Sequence, residues 1–294
     1  MEDELYALVY RLLCEEGNKR PRRGRSQYRD GLILAVYFWA VVHDRPTCWA
    51  CRLEHWPVRW QWLSLPSQPT MSRRLRSLSV VLLLMAVMER LRQVDTPQSP
   101  ADPLVHRLDS RPLVVGGFSK DREAHRGYAT GGKARGYKSF DLCGSAVVPD
   151  RVLLGSLNWA DAEGAARVLN QASISGYVLA DCVHDTNALH CLARSRGLQL
   201  ITPRKSPGTA VGSHSREDGR LRSIELLEGP DPFGRDLYRL RDEIERRYGN
   251  CSSFGGGLQP LPSWVRTPQR VARWLWAKLI LNGLRICINQ GLAA

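Results

Sequence analysis

Apolar residues recur at helical spacing from the start of the chain, with Leu5, Leu8, Val9, Leu12 and Leu13 on one face of residues 4–15. Similar patterns predict helices over 31–43, near 47–54, over 69–77 and over 79–92. The apolar runs Leu32–Val42 and Val80–Val87 are too short to span a bilayer and read as core helices. Around 93–103, QVDTPQSPADP breaks every periodicity and predicts a linker. Beyond it the pattern turns mixed. Leu104–Leu108 predicts a short strand ending at Asp109, and Tyr137–Val148 with Arg151–Leu157 predicts a hairpin turning at Pro149 and Asp150. Then come a helix over Asp161–Gln171, a strand over Tyr177–Ala180 ending at Asp181, a helix over Asp185–Arg196 and a strand over Leu198–Thr202. Residues 206–220 read as a polar Gly/Ser loop, followed by a helix near 235–248. The expected fold is α/β, with an all-α region over 1–98 and a mixed region over 99–294.

Charge changes the picture. The chain carries 42 Lys and Arg against 29 Asp and Glu, a net charge of +13, so a polyanion is the natural partner and nucleic acid the usual one. With 43% hydrophobic residues over 294 positions, it can bury a sizeable core. No apolar secretory segment opens the acidic MEDELYALVY, and no long amphipathic basic helix points to a membrane. The eight cysteines are scattered, which reads as reduced thiols in a cytoplasmic, nucleoid-associated protein. Cys48 and Cys51 form a lone CxxC, expected as buried, inert thiols near Trp49 rather than a zinc site.

Three basic regions are candidate phosphate contacts. GNKRPRRGRSQYRD reads equally as a solvated loop or as a DNA-contacting arm, with Arg22 and Arg23 foremost. PSQPTMSRRLRS predicts a short helix exposing Arg73, Arg74 and Arg76. It is a candidate recognition helix, although the stretch from 54 to 69 exceeds a helix-turn-helix turn, and an ordinary bundle with a basic face is the alternative. From Ser263 onward there is no acid, and Arg266, Arg270, Arg273, Lys278 and Arg285 alternate with Trp, Leu and Ile. That pattern fits a packing helix whose basic side either faces nucleic acid or is a solvated rim. Trp49, Trp56, Trp60 and Trp62 are expected to pack the N-terminal bundle.

The chemistry concentrates in YRLRDEIERRYG. Tyr238, Arg241 and Glu245 are three and then four residues apart, one stripe on a single helix, while Glu243 points nearly the opposite way. A solvated ion pair is the plain alternative, although cation before acid is the weaker order for an i,i+4 pair. Asp109 and Asp181 each follow an apolar strand, so neighbouring strands would bring their carboxylates together at one sheet edge, with Glu245 closing the cluster. Three converging carboxylates repel unless divalent cations neutralise them. Hard oxygen donors select Mg2+ or Mn2+, and two such ions suit displacement at phosphorus.

These residues also carry a family resemblance. The chain resembles the DDE transposases of bacterial insertion sequences, in the group whose third motif reads Tyr-x2-Arg-x3-Glu-x6-Lys. Tyr238, Arg241 and Glu245 match it, and Ser252 stands where the Lys is expected. ADCVHDTN resembles the second motif, A-D-x-G-Y-D-S, keeping Asp181 and Asp185 but placing His184 at the aromatic position. HRLDSRPL with Asp109, then GKARGYKSF, is similar to the first. The resemblance spans about 104–281 and implies a ribonuclease H-like catalytic core. It further implies Asp109, Asp181 and Glu245 as metal ligands, Tyr238 and Arg241 beside double-stranded transposon-end DNA, and a homodimer during synapsis. The implied activity is metal-dependent strand cleavage and transfer. A non-catalytic DNA-binding derivative and a hydrolytic nuclease on the same core are the alternatives, the first prompted by Ser252 and His184.

Overall fold

A computed structural model describes residues 2–20, 27–96, 104–209, 211, 216–252 and 257–292. Arg22, Arg23 and the side chain of Ser252 lie outside what it describes. The chain is mixed α/β, a curled mixed sheet flanked by helices with a helical region before it.

The helical region comprises α1 (Glu2–Asn18), α2 (Asp30–Val42), α3 (Thr47–Ala50), α4 (Gln68–Arg74) and α5 (Leu78–Leu91). α2 has no polar face beyond its first turn, and Gly31 and Ile33 to Val42 are buried. A helix apolar all round must sit at the centre. α1, α5 and the C-terminal α11 (Pro268–Gln290) enclose it. Tyr6 anchors an aromatic cluster, with ring centroids 4.9 Å from Trp39, 5.5 Å from Trp56 and 5.1 Å from Trp60. Trp62 is the exception to the expected packing, being exposed.

One apolar core joins these helices to α11 and to one face of the sheet. The basic side expected on α11 is therefore corrected: Arg273 and Lys278 are buried among its packed residues. The predicted linker begins as paired backbone. Val94 and Thr96 exchange backbone hydrogen bonds with Val147 and Ser145, and residues 97–103 lie outside the described residues.

The sheet contains β1 (Val105–Val114), β2 (His125–Ala129), β3 (Gly132–Cys143), β4 (Arg151–Ser156), β5 (Gly176–Leu179) and β6 (Leu198–Ile201). Its order is β2-β3-β1-β5-β6, with β4 also paired to β3. β3 runs antiparallel to both β1 and β4, the second pairing being the predicted hairpin, while β1, β5 and β6 run parallel. Parallel neighbours need crossovers. α6 (Asp161–Gln171) leads into β5 and α7 (Asn187–Ser195) into β6, and both pack on the sheet face bearing Leu108, Phe140, Leu142 and Val178. α8 (Asp218–Glu228) and α9 (Phe233–Arg239) cover Leu179 and Ile201 on the other face, where α10 (Asp242–Ser252) and α11 continue the layer.

Three departures from the sequence reading have physical causes. β2 pairs at the rim of the sheet and is half polar and largely exposed, so no apolar alternation marks it. α8 begins inside the predicted loop, where the Glu217 side chain caps the backbone N–H of Arg220. β1 continues through Asp109, Ser110, Arg111 and Pro112, paired with β3 as far as Val114 opposite Gly136. Pro112 is tolerated because the pairing with β5 stops at Arg107, leaving an edge where a missing N–H costs little.

Candidate active site

Asp109 therefore lies in mid-strand and not at a strand end, a correction to the sequence reading. In the parallel ladder Val105 pairs with Tyr177 and Arg107 with Leu179, the last pair before β5 ends. Asp109 lies two residues past Arg107 on the same face of β1 and Asp181 two residues past Leu179, near enough for the Asp181 charge to act on Asp109. β5 has ended by then, so the two carboxylates flank the notch where β1 continues alone.

Asp181 caps a short 3-10 turn over Cys182–His184, its Oδ1 accepting the Val183 N–H at 3.2 Å. The Nδ1 of fully buried His184 lies 2.6 Å from the same Oδ1. The His that departs from the family pattern thus fixes the orientation of the second carboxylate. Asp185, next along, faces away into a separate cluster. Arg220 grips it through two nitrogens at 2.6 and 2.8 Å, and His190 Nε2 lies 3.4 Å off.

The predicted single helix is two. α9 ends at Arg239 and α10 begins at Asp242, with the turn between them tightened by i to i+3 bonds from Arg241 N to Tyr238 O and from Ile244 N to Arg241 O. At this break buried Arg107 of β1 donates its Nε to Leu240 O at 3.0 Å, a carbonyl that keeps only a long 3.4 Å i to i+3 bond from Glu243 N. Arg107 also pairs with Glu243 at 2.6 Å. The stripe survives the break. Tyr238 donates its hydroxyl to Ala180 O at 3.1 Å, directly before Asp181, and Arg241 reaches Glu245 at 2.9 Å.

The charges at this notch act on one another. Burial raises the Asp109 carboxyl above its usual range and neighbouring Asp181 adds to the rise, while the Ser110 N–H, Arg241 and His184 offset part of it. Burial also acts to raise Asp181, but hydrogen bonding and charge from His184, with Arg241 beside it, hold it below the usual range. Burial acts to lower Arg241, yet Tyr238, Asp109, Glu245 and Asp181 together raise it. Burial and the nearby acids push Tyr238 up to about 12, although Arg241 opposes them. Arg241 is the common counterion of Asp109, Asp181 and Glu245.

As they stand, no three His, Cys, Asp or Glu side chains are gathered around one metal position among the described residues. Asp109 and Asp181 offer hard carboxylate oxygens side by side, the donor type Mg2+ or Mn2+ takes. Glu245 is 59% exposed and held by Arg241.

Sequence reasoning missed one acid here. Asp141 of β3 pairs in register with Asp109 and is 1% exposed. The Ser139 hydroxyl donates to its Oδ1, while its Oδ2 has no hydrogen-bond partner among the described residues. Burial holds its carboxyl up at about 6 even with Ser139 pulling it down. The alternation of Tyr137, Ser139, Asp141 and Cys143 along β3 was the available signal.

Other candidates separate. Arg73 is exposed, but Arg74 turns inward, pairing with Asp30 and donating to Tyr28 O at 3.0 Å, so the expected exposure of Arg74 is corrected. Arg247 is buried and donates to Ala146 O at 2.9 Å, whereas neighbouring Arg246 is exposed. Cys48 is exposed rather than buried, and Cys51 donates to Thr47 O at 3.2 Å. No helix among the described residues is long and apolar enough to cross a membrane. No family model, curated protein or solved structure matches the chain.

Proposed function

We propose that this protein is a DDE-type transposase that binds transposon-end DNA and catalyses divalent-cation-dependent strand cleavage and strand transfer. The observation that carries the reading is the pair Asp109, on β1, and Asp181, just past the end of the parallel neighbour β5, both acting on Arg241, which lies beside Tyr238 and pairs with Glu245. The strand order supports it as well: β1 to β4 joined by antiparallel pairings, then β5 and β6 parallel to β1, with helices on both faces, is compatible with a ribonuclease H-like core.

Asp109 and Asp181 would hold Mg2+ or Mn2+, with Glu245 joining them once it leaves Arg241. Such ions supply Lewis-acid stabilisation of charge developing on the phosphoryl oxygens. The remaining work falls to the chain itself. His184 fixes Asp181, and the Ser110 N–H fixes Asp109 through a 2.8 Å bond. Arg241, its fork matched to phosphate oxygens, binds the scissile phosphodiester. Tyr238, hydrogen-bonded to Ala180 and kept neutral, orders the wall on which the DNA end lies.

The test is nicking and strand joining on the element's terminal repeats with Mg2+ present. Asp109→Ala, Asp181→Ala and Glu245→Ala should each abolish both, and activity surviving any of them refutes that assignment. A second reading, DNA binding without cleavage, is favoured by the Arg241–Glu245 pair, which already satisfies the glutamate. It predicts salt-sensitive DNA binding, and detection of joined strands removes it.

A further inference from the structure

Three arginines from distant parts of the chain line one pocket. Arg76 follows α4, while Arg270 and Arg273 occupy the first two turns of α11, with Tyr37 and Trp264 completing a cavity of about 160 Å³. Arg273 is only 7% exposed, and its Nε has no hydrogen-bond partner among the described residues. The Trp264 Nε1 is likewise buried without an acceptor. No carboxylate lines the pocket, and among the described residues none pairs with Arg76, Arg270 or Arg273. Burial lowers the Arg273 pKa, with Arg270 and Arg76 lowering it further and Tyr37 opposing them.

This arrangement is costly in three ways. A guanidinium is desolvated without an anion, like charges are crowded, and two cations stand at the positive end of a helix. An anion with several oxygens removes all three costs at once, and arginine forks are matched to phosphate oxygens. The cavity has room for one such group. Its aromatic walls and the exposed Arg73 on the same short helix favour a phosphate carried on a polynucleotide.

We infer that the pocket between α4 and the start of α11 seats one backbone phosphate of DNA. This rests on the DNA-binding part of the function proposed above, and the pocket shares no residue with the carboxylate notch.

The experiment uses the full chain with a labelled DNA duplex of arbitrary sequence, titrated over a salt series, with inorganic phosphate as a separate ligand. Arg273→Met should weaken duplex binding about tenfold near 0.1 M salt and reduce the log–log salt slope by about one. Its melting temperature without DNA should equal or exceed that of the parent, because an unpaired buried charge has gone. Arg76→Gln with Arg270→Gln, both exposed positions, should repeat the binding loss should the buried substitution disturb folding.

Unchanged affinity and slope in both variants overturn the inference, as does a lower melting temperature in Arg273→Met with normal binding. Inorganic phosphate raising the parent's melting temperature, with the duplex slope unchanged in the variants, assigns the pocket to a free phosphate and overturns the backbone assignment. A parent that never cuts or joins DNA, while the arginine variants still lose a contact, refutes the transposase reading and leaves this one standing.

Discussion

Replacing Glu243 with Gln removes the carboxylate 2.6 Å from Arg107, a guanidinium only 2% exposed. Burial already lowers the Arg107 pKa, Glu243 is its main support, and Arg247 and Arg246 add like-charge repulsion. Breaking a buried pair from one side costs about 3–5 kcal/mol. Arg107 keeps carbonyl acceptors at Leu240, Val105 and Gly144, so the loss should fall at the low end, about 3 kcal/mol. Glu245→Gln, two residues on, should behave in the opposite way. That carboxylate is 59% exposed, and its pair with Arg241 is worth at most about 1 kcal/mol, yet DNA cleavage should disappear. Urea unfolding of both variants reads the difference. Arg107→Met in the Glu243→Gln background should recover much of the loss, because no buried cation then lacks its partner. Equal costs for the two glutamates, or no recovery in the double variant, would refute the reasoning.

Lys278 is fully buried, and burial lowers its pKa to about 8 although Cys251 and Asp44 oppose the shift. Its charged form is therefore penalised below about pH 8, and the penalty fades as pH rises toward 10.5, the ordinary value for lysine. Parent stability should gain up to about 3 kcal/mol relative to Lys278→Met across that window, and parallel stability–pH curves would exclude it. Gly164→Ala would place a Cβ 2.1 Å from Phe140 Cε1. It should destabilise by about 1–3 kcal/mol despite alanine's better helix propensity, as read by thermal unfolding. Arg74→Ala should cost about 1–3 kcal/mol by losing Asp30 and Tyr28 O, whereas exposed Arg73→Ala should stay within about 0.5 kcal/mol and weaken only DNA binding. Denaturation with a parallel binding titration separates the two.

Much of this arrangement was legible in the pattern of the chain. Period-3.6 stripes located α1, α5 and α6, the apolar run Leu32–Val42 located α2, an apolar run ending in Asp181 located β5 and the short run Leu198–Thr202 located β6, because each element buries continuous apolar surface. What escaped depends on contacts between distant residues. The length of β1 is set by its pairing with β3 and not by its own polar DSRP stretch. The break between α9 and α10 is met by Arg107, more than a hundred residues earlier in the chain. Arg74 and Arg273 read as surface cations because nothing local says that Asp30 lies beside one and that α4 and α11 close over the other. Asp141 was hidden by a different cause. It sits among aromatic and apolar neighbours that identify a strand, and only the register with β1 makes it a neighbour of Asp109.

The break before α10 and the burial of Arg107 explain each other. An unbroken helix would keep Leu240 O in its own ladder and leave Arg107 Nε without that acceptor. With the turn tightened, the carbonyl is shared between the Glu243 N–H at 3.4 Å and the guanidinium, and the Glu243 side chain reaches the same group from the first turn of α10. Helical spacing then sorts the rest of α10 into separate stripes. Glu243 and Arg247 point to the sheet, Ile244, Tyr248 and Cys251 enter the core, and Glu245 joins Arg241 over the notch. Arg107 stands two residues before Asp109 on the same face of β1, so the strand that presents the carboxylate also clamps the helix above it. The distance from Asp109 to Arg241 and Glu245 is thus set by a buried ion pair one strand step away, which is why Glu243 matters to the site without belonging to it.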